Sequence, residues 1–153
     1  MTRRRTCVVI VLPFALVAVM IWSLPRGVEE PVYHGKRYTE WVEQILALGE
    51  GGAVERGRQE AIAAIEAIGT NAIPYLLQEI GSKDSSVKQL LIRVMPQWSR
   101  PVPAPWRRDR AQVGFRILRH HAALFTPSLK ELQRDPELAP TIRPLMESLE
   151  RGW

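Results

Sequence analysis

The chain has a single cysteine, Cys7, in 153 residues. A lone thiol excludes an internal disulfide framework and any cysteine-based zinc site. Phe, Tyr and Trp together make up only 7% of the sequence, and the period-2 alternation of half-buried strands is hard to find. No glycine-rich phosphate loop, nucleophile elbow or HExxH pattern occurs. Of the three histidines, His34 stands alone, while His120 and His121 are neighbours. On a helix, neighbours point about 100° apart, so these two cannot chelate one metal from that helix; the expectation is a solvated His120 and a half-buried His121. The carboxylates Glu40, Glu43, Glu55 and Glu60 fall at expected helix starts or on polar faces, where dipole and solubility roles suffice. No residue stands out as catalytic, cofactor-binding or metal-ligating, and no cofactor is implied.

What is present begins with a membrane-type segment. Arg3, Arg4 and Arg5 precede an uncharged run from Thr6 to Pro25, and its apolar part spans Cys7 to Leu24. That length is at the short end of what crosses a hydrocarbon core of ~30 Å. Ala15 and Ala18 lie inside the run, so no small-residue pair marks a cleavage site at its exit, and Trp22 suits an interfacial belt. Residues 1–26 therefore read as an uncleaved single-pass anchor, with a cleaved signal peptide and a secreted protein as the competing reading. Cys7 stands at the start of the apolar run rather than at its exit and is no lipoprotein cysteine. The triple arginine places the N-terminus in the cytoplasm and the body in the periplasm or cell exterior.

The body, 46% hydrophobic and 24% charged over the whole chain, reads as one helical domain behind a 27–37 linker. Its centre is Gln59–Gly81, two amphipathic helices joined by a tight turn. Ala61, Ile62, Ile65 and Ile68 share one face at i, i+1, i+4 and i+7; Ile73, Leu76, Leu77 and Ile80 lie at i, i+3, i+4 and i+7. Gly69 suits a left-handed C-terminus, Thr70 or Asn71 a cap, and Pro74 a first turn. Upstream, Thr39 should cap a helix Tyr38–Leu48 striped by Trp41, Ile45 and Leu48, and 49–52 is a loop. Downstream, Asp84 or Ser85 opens a helix with Val87, Leu90, Leu91, Val94 and Trp98 in line, broken by Pro96. Gln97–Trp106, which holds three prolines and follows Pro96, reads as partly extended. Arg107–Phe125 reads as the longest helix, Thr126-Pro127 as a restart with Leu129 and Leu132 on a short partner, and Thr141–Leu149 as a closing helix with Ile142, Leu145, Met146 and Leu149.

The central motif, a helix ending Ala-Ile-Gly followed by Ala-Ile-Pro-Tyr-Leu-Leu, resembles the HEAT repeat. With the segment Pro31–Lys36 and Trp41, the chain is similar to bacterial HEAT-repeat proteins that carry an N-terminal membrane anchor. The resemblance covers residues 31–81 well and 111–134 loosely. It implies an all-α, short α-solenoid of helical hairpins over residues 38–153, an interaction or scaffold role, and no catalytic residues to carry over. Aligning Pro127 with Pro74 places Phe115 on Ile62 and Leu118 on Ile65, an offset of 53 residues. HEAT periods run about 40–47 residues, which makes the proline-rich 96–106 segment an insertion.

Charge is segregated along the sequence. Gly27–Ser82 carries four Lys/Arg against nine Glu, and Lys83–Arg134 carries eleven Lys/Arg against three Asp/Glu. Trp98, Arg100, Trp106, Arg107, Arg108 and Arg110 flank the proline-rich loop as a basic and aromatic cluster. Such a cluster suits an acidic protein, anionic lipid headgroups or nucleic acid; an extracytoplasmic body argues against the last. Solvated arginines beside tryptophans that pack on helix ends would produce the same pattern without a site. The expectation is a membrane-anchored, non-catalytic protein-binding module, with a HEAT-like lyase or modifying enzyme and a nucleic-acid-binding domain as alternatives. The sequence does not specify the partner or the oligomeric state.

Overall fold

A computed structural model describes residues 27–47 and 52–151. The anchor reading, with Cys7 and Trp22, lies outside the described residues, as do Leu48 and most of the 49–52 loop. The expected all-α character holds: the described chain is mostly helical, with one two-stranded hairpin. Among the described residues no helix is long and apolar enough to cross a membrane.

The stretch expected to be a linker instead holds that hairpin. Strand β1 (Val32–Tyr33) pairs antiparallel with β2 (Lys36–Arg37), and His34 (φ 50°) and Gly35 (φ 77°) form the turn. Two consecutive positive φ values give the turn whose twist matches a hairpin, and glycine makes the second one easy. The hairpin leads into α1 (Tyr38–Leu46). Thr39 does not cap α1. The Glu30 carboxylate does so from outside, accepting from Thr39 N at 2.7 Å and from Thr39 Oγ1 at 2.6 Å. The buried stripe of α1 is Tyr38, Trp41 and Val42, with Ile45 packed beside it. Trp41 Nε1 donates to the Tyr33 carbonyl and Lys36 Nζ stands 4.1 Å over its ring, so hairpin and helix fix each other.

Helix α2 (Gly52–Ile68) and helix α3 (Ile73–Ile80) are joined by a 3₁₀ turn, Gly69–Ala72. Gly69 is left-handed (φ 59°), as expected. Thr70 and Asn71 are not caps: the turn runs into α3 through helical dihedrals at Ala72, with no side-chain cap. Pro74 occupies the first turn, where its missing N–H leaves no bond broken. Leu76 and Ile80 are fully buried. In α2 the buried set is Ala61, Ala64, Ile65 and Ile68, with Ile62 only half-buried. Consecutive as they are, α2 and α3 are not each other's main partners. Helix α2 packs chiefly on α1, and α3 packs on α5.

Ser85 caps α4 (Ser86–Val94), accepting from Lys88 N. Pro96 ends the helix as expected, and a 3₁₀ turn at Gln97–Ser99 and a short extended piece follow. Helix α5 (Ala104–Ile117) starts earlier than expected, with Pro105 in its first turn. It also ends earlier, at a 3₁₀ turn Arg119–His121, after which α6 (Ala122–Leu132) begins. Thr126-Pro127 therefore sits inside α6 and does not restart the chain. The Thr126 hydroxyl donates to the Ala122 carbonyl there. Helix α7 (Ala139–Arg151) buries Ile142, Leu145 and Met146 as its spacing requires.

One core joins α1, α2, α3, α5, α6 and α7. Its tightest point is Gly114 on α5. A Cβ there would run into the Tyr38 hydroxyl and come within 2.9 Å of Leu76 Cδ2. The absent side chain lets α1 and α3 both close on α5, and Tyr38 Oη then donates to the Arg110 carbonyl at 3.0 Å. Phe115 and Phe125 meet nearby with ring centroids 4.6 Å apart. The buried positions also correct the internal alignment. Ala61, Ala64, Ile65 and Ile68 correspond to Ala111, Gly114, Phe115 and Leu118, all buried, at an offset of 50 residues rather than 53. Proline was a poor anchor for that alignment, because Pro74 opens α3 while Pro127 lies inside α6.

Candidate interaction surface

The six residues singled out by sequence do not form one surface. Arg107, Arg108 and Arg110 lie on α5, whose first turns face α3 and the end of α1. Arg108 is buried: its Nε donates to the Ser82 carbonyl at 2.9 Å and Nη2 meets Glu137 at 2.5 Å. Arg110 reaches Glu43 at 3.4 Å and Glu79 at 3.9 Å. Arg107 stands 3.8 Å from Glu79 and 4.0 Å from Asp84. Lys83 pairs with Asp135 and lies 3.8 Å from Glu137. Arg107 and Arg110 of the basic stretch thus pair with Glu43 and Glu79 of the acidic one, while Arg108 and Lys83 pair with Glu137 and Asp135 of the tail, and these cations are not held out to a partner.

Glu79 is the centre of that network. It is 6% exposed, and burial pushes its carboxyl above the usual range, with Arg107 and Arg110 pulling the other way. Burial also holds the Tyr38 and Tyr75 phenols strongly protonated. For Asp84, burial acts upward, but hydrogen bonds from Lys88 and from the Ala104 N–H outweigh it and hold the carboxyl below its ordinary value. That carboxylate accepts from Ala104 N at 2.8 Å and pairs with Lys88 at 2.8 Å, so one residue ties the start of α5 to α4. The network is structural in layout. It lies under α5 and lines no cleft with the histidines. His120 is exposed and His121 half-buried at the far end of α5, their rings 4.2 Å apart. Among the described residues no group of three His, Cys, Asp or Glu side chains converges to hold a metal ion.

What does face outward is apolar. On α4, Val87, Leu90 and Val94 are 68%, 59% and 72% exposed, and no residue of the helix is buried. Trp98 is 88% exposed and Trp106 70%. Arg100 is exposed as well, with its Nε donating to the Met95 carbonyl at 2.8 Å. The structure therefore keeps Trp98, Arg100 and Trp106 as surface residues and takes Arg107, Arg108 and Arg110 into internal pairs. Trp106 also forms one wall of an open groove of about 290 Å³ between the ends of α1 and α5. Leu46 and Ala47 form the apolar side, Glu43 and Asp109 the rim, and Arg110 the remaining wall.

Sequence reading missed two members of this surface. Leu46 was not on the expected stripe of α1, and its exposure follows from the helix ending there. The α4 stripe was visible, with the same spacing as that of α3, but the spacing does not say which way it faces. Nothing in its residue types marks it as outward-facing. No protein family, curated protein or solved structure compared with the chain matches it.

Proposed function

We propose that the protein is a membrane-anchored, non-catalytic helical interaction module, of HEAT-like construction, whose body recognises another protein at the Trp106 groove. The observation that carries this reading is the groove itself. It sets a 70% exposed tryptophan and an exposed Leu46 beside the Glu43–Arg110 pair. Exposed aromatic anchors beside a small apolar cleft with a polar rim are the makings of a protein-binding hot spot. The HEAT-like part of the proposal is supported by the two helix–3₁₀–helix units with matching buried positions. The anchor part is supported by the sequence from Arg3 to Pro25 and by its closeness to the fold.

The partner implied is less acidic than the net charge suggests. Arg107, Arg108 and Arg110 are already matched to carboxylates of the same chain, so the groove offers apolar contact more than free positive charge. Photo-crosslinking from the groove in intact membranes tests the proposal, with the crosslinker at Asp109 and the full chain as bait. A discrete crosslinked protein that is lost on Trp106→Ala and on Leu46→Ala is the expected result. Crosslinks unchanged by both substitutions, in variants that keep their helical spectrum, would remove the groove from consideration.

A further inference from the structure

The groove leaves a second exposed apolar feature unexplained. Helix α4 presents Val87, Leu90, Leu91 and Val94 to solvent, and Trp98 extends the patch beyond Pro96. The charge around it has one sign. Between Asp84 and Asp109 the sequence contains no carboxylate, while Lys88, Arg93 and Arg100 are interspersed with the apolar residues. Lys88 is matched to Asp84; among the described residues Arg93 and Arg100 form no ion pair, and both are exposed.

Position supplies the second observation. The apolar run of the N-terminus ends at Leu24, and the fold begins four residues on, where Val28 N donates to the Gln78 side chain. Gln78 is in the last turn of α3, the end from which the chain leaves for α4. Four residues span at most about 14 Å. A run seated in a bilayer therefore holds this end of the body against the membrane surface.

We infer that the apolar face of α4, continued by Trp98, lies in the interface of an anionic bilayer, with Arg93 and Arg100 against lipid phosphates. This rests on the anchor reading and adds a second, reversible contact to it. An amphipathic helix of this kind lies in the membrane plane, with its apolar residues ~5–10 Å into the headgroup boundary and its cations at the phosphates. Tryptophan favours the same depth. A second copy is a poor occupant, since two carboxylate-free faces would set Arg93 and Arg100 of both chains against one another. Tethering raises the effective concentration of the surface, so nine residues of helix suffice where they would not in a free peptide.

The test uses the full chain carrying Cys7→Ser, reconstituted into vesicles of phosphatidylcholine alone or with phosphatidylglycerol. A nitroxide is placed at Val94→Cys, or at Glu66→Cys on the exposed face of α2 as a reference. With phosphatidylglycerol present, the Val94 label should become several-fold more accessible to oxygen and several-fold less to a water-soluble nickel chelate than the Glu66 label. Replacing Arg93 and Arg100 by Ser should reduce that contrast. Equal nickel accessibility at the two positions overturns the inference. So does spin–spin broadening at position 94 that disappears on dilution with unlabelled chain, which would mean a second copy. Shielding that arises only on adding membrane extract would mean a protein partner and overturns it too. Alkaline carbonate separates the two readings. A chain that washes off with Val94 shielded beforehand defeats the anchor alone; one retained with Val94 in water defeats the docking alone.

Discussion

Helices α3 and α4 follow one another and carry nearly the same apolar spacing: Ile73, Leu76, Leu77, Ile80 in one and Val87, Leu90, Leu91, Val94 in the other. The first face is sealed in the core and the second stands in solvent. The difference lies in what each meets. Helix α3 lies along α5 at Gly114, where the missing side chain admits Leu76, and it carries Glu79 into reach of Arg107 and Arg110. Among the described residues helix α4 is fastened chiefly at its ends, by the Ser85 cap, the Asp84–Lys88 pair, the Gln89 bond to the Asp84 carbonyl and the Arg100 bond to Met95. An amphipathic stripe therefore records that a helix needs cover and not what covers it.

The sharpest test of the contrast is one substitution made in both helices. Leu76→Ala should cost ~2–5 kcal/mol, the range for emptying a buried leucine site. Leu90→Ala should stay within ~0.5 kcal/mol, as surface substitutions do. Denaturant midpoints of the two full-chain variants decide it, and equal losses would mean that α4 is packed after all. Next in size, Gly114→Ala should cost ~1–3 kcal/mol by overpacking the α1–α3–α5 junction, although alanine is otherwise the better helix former. A neutral or stabilising result in thermal melts would show that the three helices do not close at this point.

Glu79 offers a pH-dependent version of the same contrast, since α4 holds no buried carboxyl. Its folded pKa is raised, so its contribution to stability is fully present below the unfolded value of about 4.3 and is lost as pH rises through the folded value. Asp84 and Asp135 are depressed and act oppositely: their contribution is present above about 3.9 and lost as pH falls through their folded values. Glu79→Gln should therefore gain on the parent chain as pH rises from the unfolded value through the folded value of Glu79, and the gain should level off above it. A stability difference that stays constant over that window contradicts the raised pKa. The smallest effect belongs to the surface: Lys83→Ala, which removes exposed, solvent-screened pairs to Asp135 and Glu137, should barely move the denaturant midpoint. A larger shift in midpoint would mean that the α7 approach depends on that lysine.

Much of the helical layout was legible because it is local. Gly69, Pro74, Ser85 and Pro96 act through their own dihedrals or their own side chains, and each marks a turn, start or stop where the structure has one. The misreadings came where a distant group intervened. Thr39 lost the capping role to Glu30, nine residues upstream. The His34–Gly35 turn was passed over because two-residue strands show no alternation. Thr126-Pro127 resembled a helix start, and the helix runs through it.

By itself the sequence determined the all-α class, the central turn and the stripes of the core helices, since helical period and backbone preference are properties of a few adjacent residues. It also showed a split between acidic and basic halves, but not its meaning. Only the tertiary structure decided that Arg107, Arg108 and Arg110 face carboxylates of their own chain, and that α3 pairs with α5 rather than with α2. It also decided that the apolar face of α4 stays open to solvent. Charge pairing and burial depend on which surfaces meet across 20 to 70 residues of sequence, and no local pattern carries that choice.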